Sequence, residues 1–318
     1  MNILTFDVEE WFHLLDFDAT RTEDKWVNYD VRIYENVDRV LDILERTNTK
    51  ATFFIIGWIA RTYPDVVKKI AAKYQIGTHT MNHQLVWQQT PEEFRTDVDS
   101  SMKLLQDITG QPVECFRAPG FSIRESEAWA FDILADLGIK YDCSVFPAAH
   151  AHGGMPSYGA PVPSIIKHGN TLIKEFPITT KTVMGKSVVF SGGGYFRLLP
   201  YPILKSWSVQ AANGQSRHMT PRILFDDNGN AVEYEGKVMT RNVGYLLSYL
   251  HPRDLDADQP RLEGLSLPRR FKSYVGVDGA AEKLRRYLKD FKFTDIRTVA
   301  DTICWEKVPV IDLKQASL

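Results

Sequence analysis

Cysteine is scarce in this sequence, with three residues among 318: Cys115, Cys143 and Cys304. Their number is odd, they lie far apart, and no Cys-x-x-Cys spacing occurs. These features argue against a disulfide framework and against a zinc site built from thiolates. We expect all three to be small core side chains in a protein from a reducing compartment.

Long apolar runs and an excess of charge of either sign are also absent. No stretch reaches the roughly 20 apolar residues of a membrane-spanning helix, and the N-terminus MNILTFDVEE lacks the basic and apolar regions of a signal peptide. We therefore expect a cytoplasmic protein without an integral membrane segment. Lys and Arg number 38 against 40 Asp and Glu, so no strong positive field favours nucleic acid. Nothing in the composition points to an oligomeric state.

Short apolar runs alternate with helical patterns along the first half of the chain. NILTF, KATFFII, VECFR and KYDCSVF are typical of buried strands, and amphipathic patterns such as ENVDRVLDILERTN lie between them. This alternation predicts an α/β fold with parallel strands and crossover helices, as an open sheet or a closed barrel.

One helix has a full set of boundary signals in TPEEFRTDVDSSMKLLQDITG. Thr90 is the expected N-cap, Pro91 the first helical residue, and Glu93 the partner in a capping box. Gly110 follows the last turn, where a left-handed residue commonly ends a helix.

The alternation stops near residue 147 and returns near residue 243. A Gly/Pro/Ala/His loop, the glycine cluster in SGGGYFRLLPY and a polar stretch at 215–237 fill this interval, and DDNGN predicts a hairpin turn. No internal repeat or low-complexity tract appears. We predict one catalytic domain over residues 1–318, with a loop and hairpin insertion around 147–243.

His79 and His83 are four residues apart in GTHTMNHQ, after a predicted strand. Such a pair can converge on a divalent metal, but the same spacing also occurs in ordinary loops. The distinction depends on whether a carboxylate and catalytic partners lie nearby.

Ionisable residues follow several of the predicted strands. Side chains alternate along a strand, so Asp7 and Glu9 in LTFDVEEW lie on the same side. Parallel α/β folds collect their active-site groups at the carboxyl ends of the strands. The other groups in this position are Arg117, Asp142 and His251.

Five motifs in one order resemble the polysaccharide deacetylases of the NodB-homology class, carbohydrate esterase family 4. The motifs are FDVEEW, HTMNH, RAPGFSI, YDCSVFP and YLHP. The first resembles the Phe-Asp-Val-Glu-Asp/Glu motif of a branch that often accompanies exopolysaccharide gene clusters. The resemblance implies a distorted (β/α) barrel with about seven parallel strands, and metal-dependent hydrolysis of N-acetyl groups on amino sugars.

The resemblance also implies roles for individual residues. His79 and His83, with a carboxylate, would bind a divalent metal; zinc is favoured, and cobalt, nickel, manganese or iron would also be accepted. Asp7 would be the general base, with Arg117 holding it ionised. His251 would be the general acid.

Further residues complete the implied site. Asp142 would position the His251 ring, and the backbone N–H of Gly120 would meet the oxyanion. Trp11, Phe121 and Tyr195 would contact the N-acetylated sugar, although each aromatic residue taken singly is better explained by packing.

The first motif departs from the pattern of the wider family, in which two aspartates are adjacent. Here Val8 separates Asp7 from Glu9 and Glu10. Strand alternation favours Glu9 as the metal ligand, whereas a bulge would bring Glu10 into that place. Asp7 could itself bind the metal, which would leave the base unassigned.

The last motif also departs, because the branch usually has an aromatic residue and an acid after His-Pro. This chain has Arg253 and Asp254, which leaves the substrate open among a polysaccharide, an oligosaccharide and a glycan precursor.

Two alternative functions fit the same scaffold. One is an allantoinase-like hydrolase of a small amide. Loss of a metal ligand would favour that function, and no metal ligand is lost in this sequence. A catalytically silent carbohydrate-binding protein predicts a broken acid–base set, whereas Asp7, Arg117, Asp142 and His251 are all present.

Overall fold

The structure is a computed structural model of the chain and describes residues 1–15, 17–159, 161–214, 223–225, 231–233 and 244–313. The elements of the first half are β1 (Asn2–Val8), α1 (Glu23–Trp26), α2 (Ile33–Thr47), β2 (Thr52–Ile55), α3 (Gly57–Thr62), α4 (Pro64–Ala71), β3 (Gln75–Thr78), α5 (Pro91–Thr109), β4 (Cys115–Phe116), α6 (Trp129–Asp136) and β5 (Tyr141–Asp142). Strands and helices alternate through this half, as the sequence predicts.

The second half is less regular. Its elements are β6 (Ser164–His168), β7 (Thr171–Glu175), β8 (Thr180–Val183), β9 (Lys186–Val189), α7 (Gly193–Leu198), α8 (Tyr201–Ala212), β10 (Ile223–Phe225), β11 (Ala231–Glu233), β12 (Leu246–Leu250), α9 (Leu267–Tyr274), α10 (Ala280–Asp290), α11 (Ile296–Ala300) and β13 (Val310–Leu313). Short 3-10 helices lie at Asp18–Thr20, Val86–Gln88, Pro119–Phe121, Glu125–Glu127, Pro156–Tyr158, Pro252–Leu255 and Trp305–Lys307.

Nine strands form the main sheet, in the order β12-β1-β2-β3-β4-β5-β7-β6-β13. The seven strands from β12 to β7 are mutually parallel, whereas β6 is antiparallel to β7 and β13 is parallel to β6. The prediction of an α/β fold with about seven parallel strands is confirmed. Because these strands share one direction, their carboxyl ends meet at one side of the sheet.

Within the interval at 147–243, which stays a predicted insertion, β6 and β7 belong to the main sheet. The strand β7 pairs with β5, and Glu175 lies opposite Asp142. Separate hairpins are formed by β8 with β9 and by β10 with β11. The turn DDNGN at 226–230 lies outside the described residues, although the strands that flank it are antiparallel. The single domain over residues 1–318 stays a prediction.

Local signals set the bounds of α5 as expected. The Thr90 hydroxyl accepts a hydrogen bond from the Glu93 N–H at 3.2 Å, and the Glu93 carboxylate accepts one from the Thr90 N–H at 2.8 Å. Gly110 ends the helix in the left-handed conformation, with φ 67°.

The alternation of β1 divides the core into two clusters. Leu4, Phe6 and Val8 pack in the larger cluster with the surrounding helices, and the Phe6 ring stacks on Phe53 at 5.2 Å. Ile3 packs in the second cluster, with residues such as Phe54, Cys115, Cys143 and Leu247. Asp7 lies four residues after Ile3 on the same strand, so its side chain points to the same side as that of Ile3, toward the second cluster.

Two cysteines occupy the core, and one does not. Cys115 and Cys143 are buried as expected, but Cys304 is exposed, so that part of the expectation is wrong. All three are free thiols. Within the described part of the chain, no helix has the length and apolar character needed to span a membrane.

Candidate metal centre and active site

Three side chains converge beyond the ends of β1 and β3. One ligand atom from each of Glu9, His79 and His83 can be chosen so that all three atoms lie within 4.8 Å of one another. Glu9 Oε1 is 3.3 Å from His79 Nε2 and 3.0 Å from His83 Nε2. All three side chains are buried. Burial alone would raise the pKa of Glu9, but the neighbouring His83 and His251 hold it well below its ordinary value.

The loop at 79–83 is held in a specific backbone conformation. Thr80 and His83 have left-handed φ values of 65° and 57°, which are unfavourable for residues other than glycine. The Thr80 hydroxyl accepts a hydrogen bond from the His83 N–H at 3.1 Å. The carboxylate of Asp97, on α5, accepts hydrogen bonds from the N–H groups of Met81 at 2.8 Å and Asn82 at 3.3 Å. These contacts compensate for the strain and fix both imidazoles.

The donor set fits a divalent cation. His79 Nδ1 lies 2.7 Å from the Arg117 carbonyl oxygen, so it carries the proton and leaves Nε2 as the free ligand atom. His83 Nε2 is buried and lies 3.0 Å from Glu9 Oε1 without the geometry of a hydrogen bond, an arrangement that a cation between the two atoms would stabilise. Two imidazole nitrogens and one carboxylate oxygen are ligands that zinc and similar metals accept, with positions left for other ligands.

Glu10 is held elsewhere. Its carboxylate accepts hydrogen bonds from the N–H groups of Arg32 at 2.8 Å, Ile33 at 2.9 Å and Trp11 at 3.3 Å. Two of these donors belong to the N-terminus of α2, where a carboxylate is favoured by the helix dipole. Burial raises the pKa of Glu10 to about 7. Of the two glutamates, only Glu9 lies with the histidine pair.

Asp7 and Arg117 form a buried ion pair at 2.7 Å. Arg117 is fully buried; it also donates to the Thr5 hydroxyl at 2.8 Å and to the Cys143 carbonyl at 3.2 Å. These partners fix the guanidinium, which holds Asp7 Oδ1 in the ion pair. The other oxygen, Oδ2, faces His251 Nε2 at 3.9 Å.

His251 follows β12 and is paired with Asp254. Its Nδ1 lies 2.9 Å from Asp254 Oδ2, and its backbone N–H donates to the same oxygen at 2.8 Å. Its Nε2 lies 3.8 Å from Glu9 Oε1, so the ring faces the metal cluster. Burial alone would lower the pKa of His251, but the charges of Glu9 and Asp254 raise it to about 9.

Arg197, on α7, supports Asp254 from behind. Its Nε lies 3.0 Å from Asp254 Oδ1, while its other nitrogens donate to the carbonyl oxygens of Lys272, Ser273 and Val275 at the end of α9. Burial would raise the pKa of Asp254, but Arg197 and His251 lower it. This carboxylate is therefore ionised beside the imidazole.

Asp142 does not contact His251 in the described structure, which corrects the expectation that it positions the ring. It lies at the end of β5, where its carboxylate accepts hydrogen bonds from the Ser144 N–H at 3.0 Å and from the Ser144 hydroxyl at 2.6 Å. The Ser144 oxygen in turn accepts from the Ala118 N–H at 2.8 Å. Asp142 thus braces the RAPGF loop, and Asp254 has the place beside His251.

The expected sugar contacts differ in accessibility. Trp11 is only 4% exposed, and its ring packs edge-on against Phe12 and Tyr29, so its contact with the sugar stays a prediction. Phe121 is also buried, with its ring against Tyr249 at 4.9 Å. Tyr195 is 47% exposed and remains available to a ligand.

Gly120 lies where another residue would clash. Its φ is 58°, and a Cβ there would lie 2.8 Å from Leu15 Cδ1. The sequence therefore needs glycine at this point of the RAPGF loop, close to Arg117.

Sequence reasoning missed three supporting residues. Asp254 lies three residues after His251, the spacing of a capping box, and that signal could have identified it. Arg197 and Asp97 lie on helices distant in sequence from the residues they hold, so no local pattern marks them. Their roles depend on tertiary packing.

Two family models together match most of the chain. The model described as polysaccharide deacetylase matches residues 18–141, and the model described as a domain of unknown function, DUF3473, matches residues 143–221 and 230–301. The first match contains His79, His83 and Arg117, whereas the second contains His251 and Asp254. The candidate site is therefore assembled from both matched parts and from β1.

Curated relatives match over a short region. Over 98 residues the chain is 33% identical to a peptidoglycan-N-acetylglucosamine deacetylase of Bacillus cereus. The aligned region covers 30% of this chain and 36% of that protein. Over 97 residues it is 34% identical to a chitooligosaccharide deacetylase of Azorhizobium caulinodans, covering 30% of this chain and 43% of that protein. The chain thus matches less than half the length of these relatives.

A solved structure matches over the full length. A structure assigned as a polysaccharide deacetylase from Mycobacterium smegmatis has a TM-score of 0.60 at 18% identity, covering 100% of this chain and 94% of that chain. This likeness concerns the fold, and it agrees with the distorted α/β barrel. Residues 18–141 match the polysaccharide deacetylase family model, so this part of the chain belongs to the polysaccharide deacetylase family.

Proposed function

We propose that this protein is a metal-dependent deacetylase that hydrolyses N-acetyl groups on amino sugars of a polysaccharide, an oligosaccharide or a glycan precursor. The observation that supports it best is the convergence of Glu9, His79 and His83 on one point, with Asp7 and His251 beside them. The two curated relatives are named as deacetylases of N-acetylglucosamine-containing polymers or oligomers, which favours the same reaction class.

Glu9, His79 and His83 would hold the cation, and we favour zinc for this set of ligands. A bound divalent cation would supply Lewis-acid polarisation of the amide carbonyl and would make water easier to deprotonate. The second matched domain and the FDVEE motif favour a substrate related to an exopolysaccharide.

Asp7 would be the general base. Arg117 engages Asp7 Oδ1 at 2.7 Å, which leaves Oδ2 to accept the proton of the attacking water. The buried ion pair holds this carboxylate in place beside His251.

His251 would be the general acid. Asp254 fixes its Nδ1 at 2.9 Å, so the proton on Nε2 faces the site and can pass to the leaving amine. With its pKa raised to about 9, the imidazole is protonated at neutral pH and ready to donate.

The experiment that tests this function combines metal content with acetate release. Native protein, His79→Ala and His168→Ala would be loaded with zinc, analysed for metal, and assayed on N-acetylglucosamine oligomers. His168 is a matched control because it lies on β6, paired with Asp132 at 2.7 Å. We expect one metal per chain and acetate release in the native protein and in the control, with both lost in His79→Ala.

Other results would favour the alternatives. Bound metal without acetate from any sugar would favour an allantoinase-like hydrolase of a small amide. Absence of metal after loading with zinc or cobalt would contradict the proposed function and favour a silent carbohydrate-binding protein.

A further inference from the structure

Arg253 is a buried cation without a partner among the described residues. It is 7% exposed, and its guanidinium makes no hydrogen bond or salt bridge to any described side chain or backbone group. A guanidinium carries a charge at any ordinary pH and offers five donors. The Arg253 nitrogens are not among the fully buried atoms without a partner, so they stay accessible to a ligand, and a largely buried arginine normally has an anionic partner.

The position of Arg253 directs it toward the candidate site. It lies in the 3-10 helix Pro252–Leu255, two residues after His251. Burial lowers the pKa of Arg253, while the charges of Asp254 and Glu9 act in the opposite direction, so the guanidinium lies within electrostatic reach of Glu9. Its own charge acts on His13, whose ring centroid is 5.9 Å from that of His83.

The neighbouring acids are already engaged. Asp254 contacts Arg197 at 3.0 Å and His251 at 2.9 Å. Glu9 lies with the two histidines. Neither Asp254 nor Glu9, the two acids whose charges act on Arg253, is therefore left to pair with it, and we expect its partner to come from outside the chain.

The charges of the site lead to the same conclusion. The buried carboxylates Asp7, Glu9 and Asp254 lie with the guanidinium groups Arg117, Arg197 and Arg253 and with the His251 imidazole. A divalent cation held by Glu9, His79 and His83 would leave the site with a net positive charge. Such a site favours a ligand that brings negative charge close to the reacting amide.

We propose that Arg253 binds an oxyanion of the substrate, so that the preferred substrates are acidic glycans carrying a carboxylate or a phosphate next to the N-acetylated sugar. This inference rests on the proposed function for the identity of the reacting sugar. A bidentate pair with the guanidinium would place the sugar so that its acetamido group faces Glu9 and His251.

The test measures binding as well as turnover. Three probes of defined charge would be titrated into the zinc-loaded native protein by calorimetry: a tetrasaccharide alternating glucuronate and N-acetylglucosamine, N-acetylglucosamine 1-phosphate, and neutral N-acetylglucosamine tetramer. We expect at least one anionic probe to bind about tenfold or more tightly than the neutral tetramer. The tetrasaccharide and the sugar phosphate distinguish a carboxylate from a phosphate.

Substitution assigns that preference to one residue. Arg253→Gln is expected to reduce the ratio of anionic to neutral affinity about tenfold, and Arg253→Lys to restore part of it because the charge remains. Arg46→Gln is the matched control, since Arg46 is an exposed arginine on α2 whose only partner is Asp42 at 2.7 Å. Unfolding temperature and zinc content of every variant report whether the fold is intact.

The outcomes separate the two proposals. Equal affinity for charged and neutral probes, or an anionic preference that survives in Arg253→Gln, would overturn the role of Arg253. Acetate measured in the same samples reports on the proposed function independently: binding that depends on Arg253 without acetate release would contradict the deacetylase and leave the anion site standing.

Discussion

Glu9 and Glu10 are adjacent in sequence but lie in different environments. The carboxylate of Glu9 meets His79 and His83, whereas that of Glu10 accepts three backbone N–H groups, two of them at the start of α2. Successive side chains of an extended segment point to opposite sides. Glu9 can therefore serve as a metal ligand while Glu10, the next residue, caps the N-terminus of α2.

The two glutamates should respond differently to the same substitution. We expect Glu9→Gln to lower zinc affinity at least about tenfold, because a neutral amide is a poorer ligand than a carboxylate. Glu10→Gln should keep zinc and lose about 1 kcal/mol of unfolding free energy, because the helix N-terminus loses its anion. Zinc competition with a chelator and urea unfolding measure the two effects, and loss of zinc in Glu10→Gln would contradict the assignment.

Two aspartates also differ in what they support. Asp254→Asn removes the anion beside His251, so we expect kcat to fall by about tenfold to a hundredfold with the zinc content unchanged. Asp142→Asn replaces an acceptor of two hydrogen bonds from Ser144, so its main effect should be about 1–3 kcal/mol of lost stability. Steady-state kinetics and denaturant unfolding of both variants compare them. A larger loss of kcat in Asp142→Asn, at equal stability, would favour Asp142 as the partner of His251.

The sequence predicted those site residues that directly follow a strand. His79, His83 and Arg117 follow parallel strands, and this pattern predicts that their side chains lie close together. Asp254 was harder to assign, since the sequence offers several acids and only packing selects the one that meets the His251 ring. For Trp11 the sequence is compatible with a sugar contact and with a core position, and the structure shows a buried ring.

At the scale of elements, α5 holds the metal-binding loop. Asp97 bonds to two N–H groups of that loop, next to the left-handed residues Thr80 and His83. Burial raises the pKa of Asp97 to about 6. The helix thus contributes to the site through backbone positioning and supplies no ligand.

Loss of this contact should weaken metal binding from a distance. We expect Asp97→Ala to lower zinc affinity about tenfold to a hundredfold, because the two histidine rings lose their fixed relative position. Asp99→Ala is the matched control on the same helix, where Asp99 pairs only with Lys103 at 2.6 Å near the surface. Chelator competition measures the zinc affinity of both variants. Equal zinc affinity in the two would contradict the role of Asp97 on α5 in positioning the metal-binding loop.

Local and non-local elements differed in predictability. The bounds of α5 follow from Thr90, Glu93 and Gly110, whose signals act within a few residues. The membership of β6 and β7 in the main sheet does not follow from local signals. It depends on the pairing of Glu175 with Asp142, which lie 33 positions apart in the sequence. A Gly/Pro-rich loop between them made the interval resemble an insertion.

At the scale of the whole molecule, the two matched parts of the chain share one sheet. Strand β5 ends the first match and pairs with β7 of the second, and the carboxyl groups of Asp142 and Glu175 meet there. Both are fully buried. Burial, and then the charge of Asp142, raise the pKa of Glu175 well above its ordinary value, so the pair retains a proton to higher pH than an isolated glutamate does.

This retained proton makes stability depend on pH. Above the ordinary glutamate pKa of about 4.5 the unfolded chain releases the proton while the native pair keeps it, so the unfolded state binds fewer protons. The free energy of unfolding should therefore fall as pH rises from about 5 to 7, by up to about 1.4 kcal/mol per pH unit from this pair, until the native pKa is passed. Glu175→Gln keeps the shape without the proton, so its stability profile should be flatter by that amount.

Urea unfolding between pH 5 and 7 compares the slopes of the native protein and Glu175→Gln. Other titrating groups contribute equally to both proteins, so the difference isolates the pair. Glu282→Gln is the control, because Glu282 is exposed and contacts only Arg285; its slope should match that of the native protein. Parallel slopes for Glu175→Gln and the native protein would show that Glu175 is ionised in the fold, and the junction between β5 and β7 would then need another source of stability.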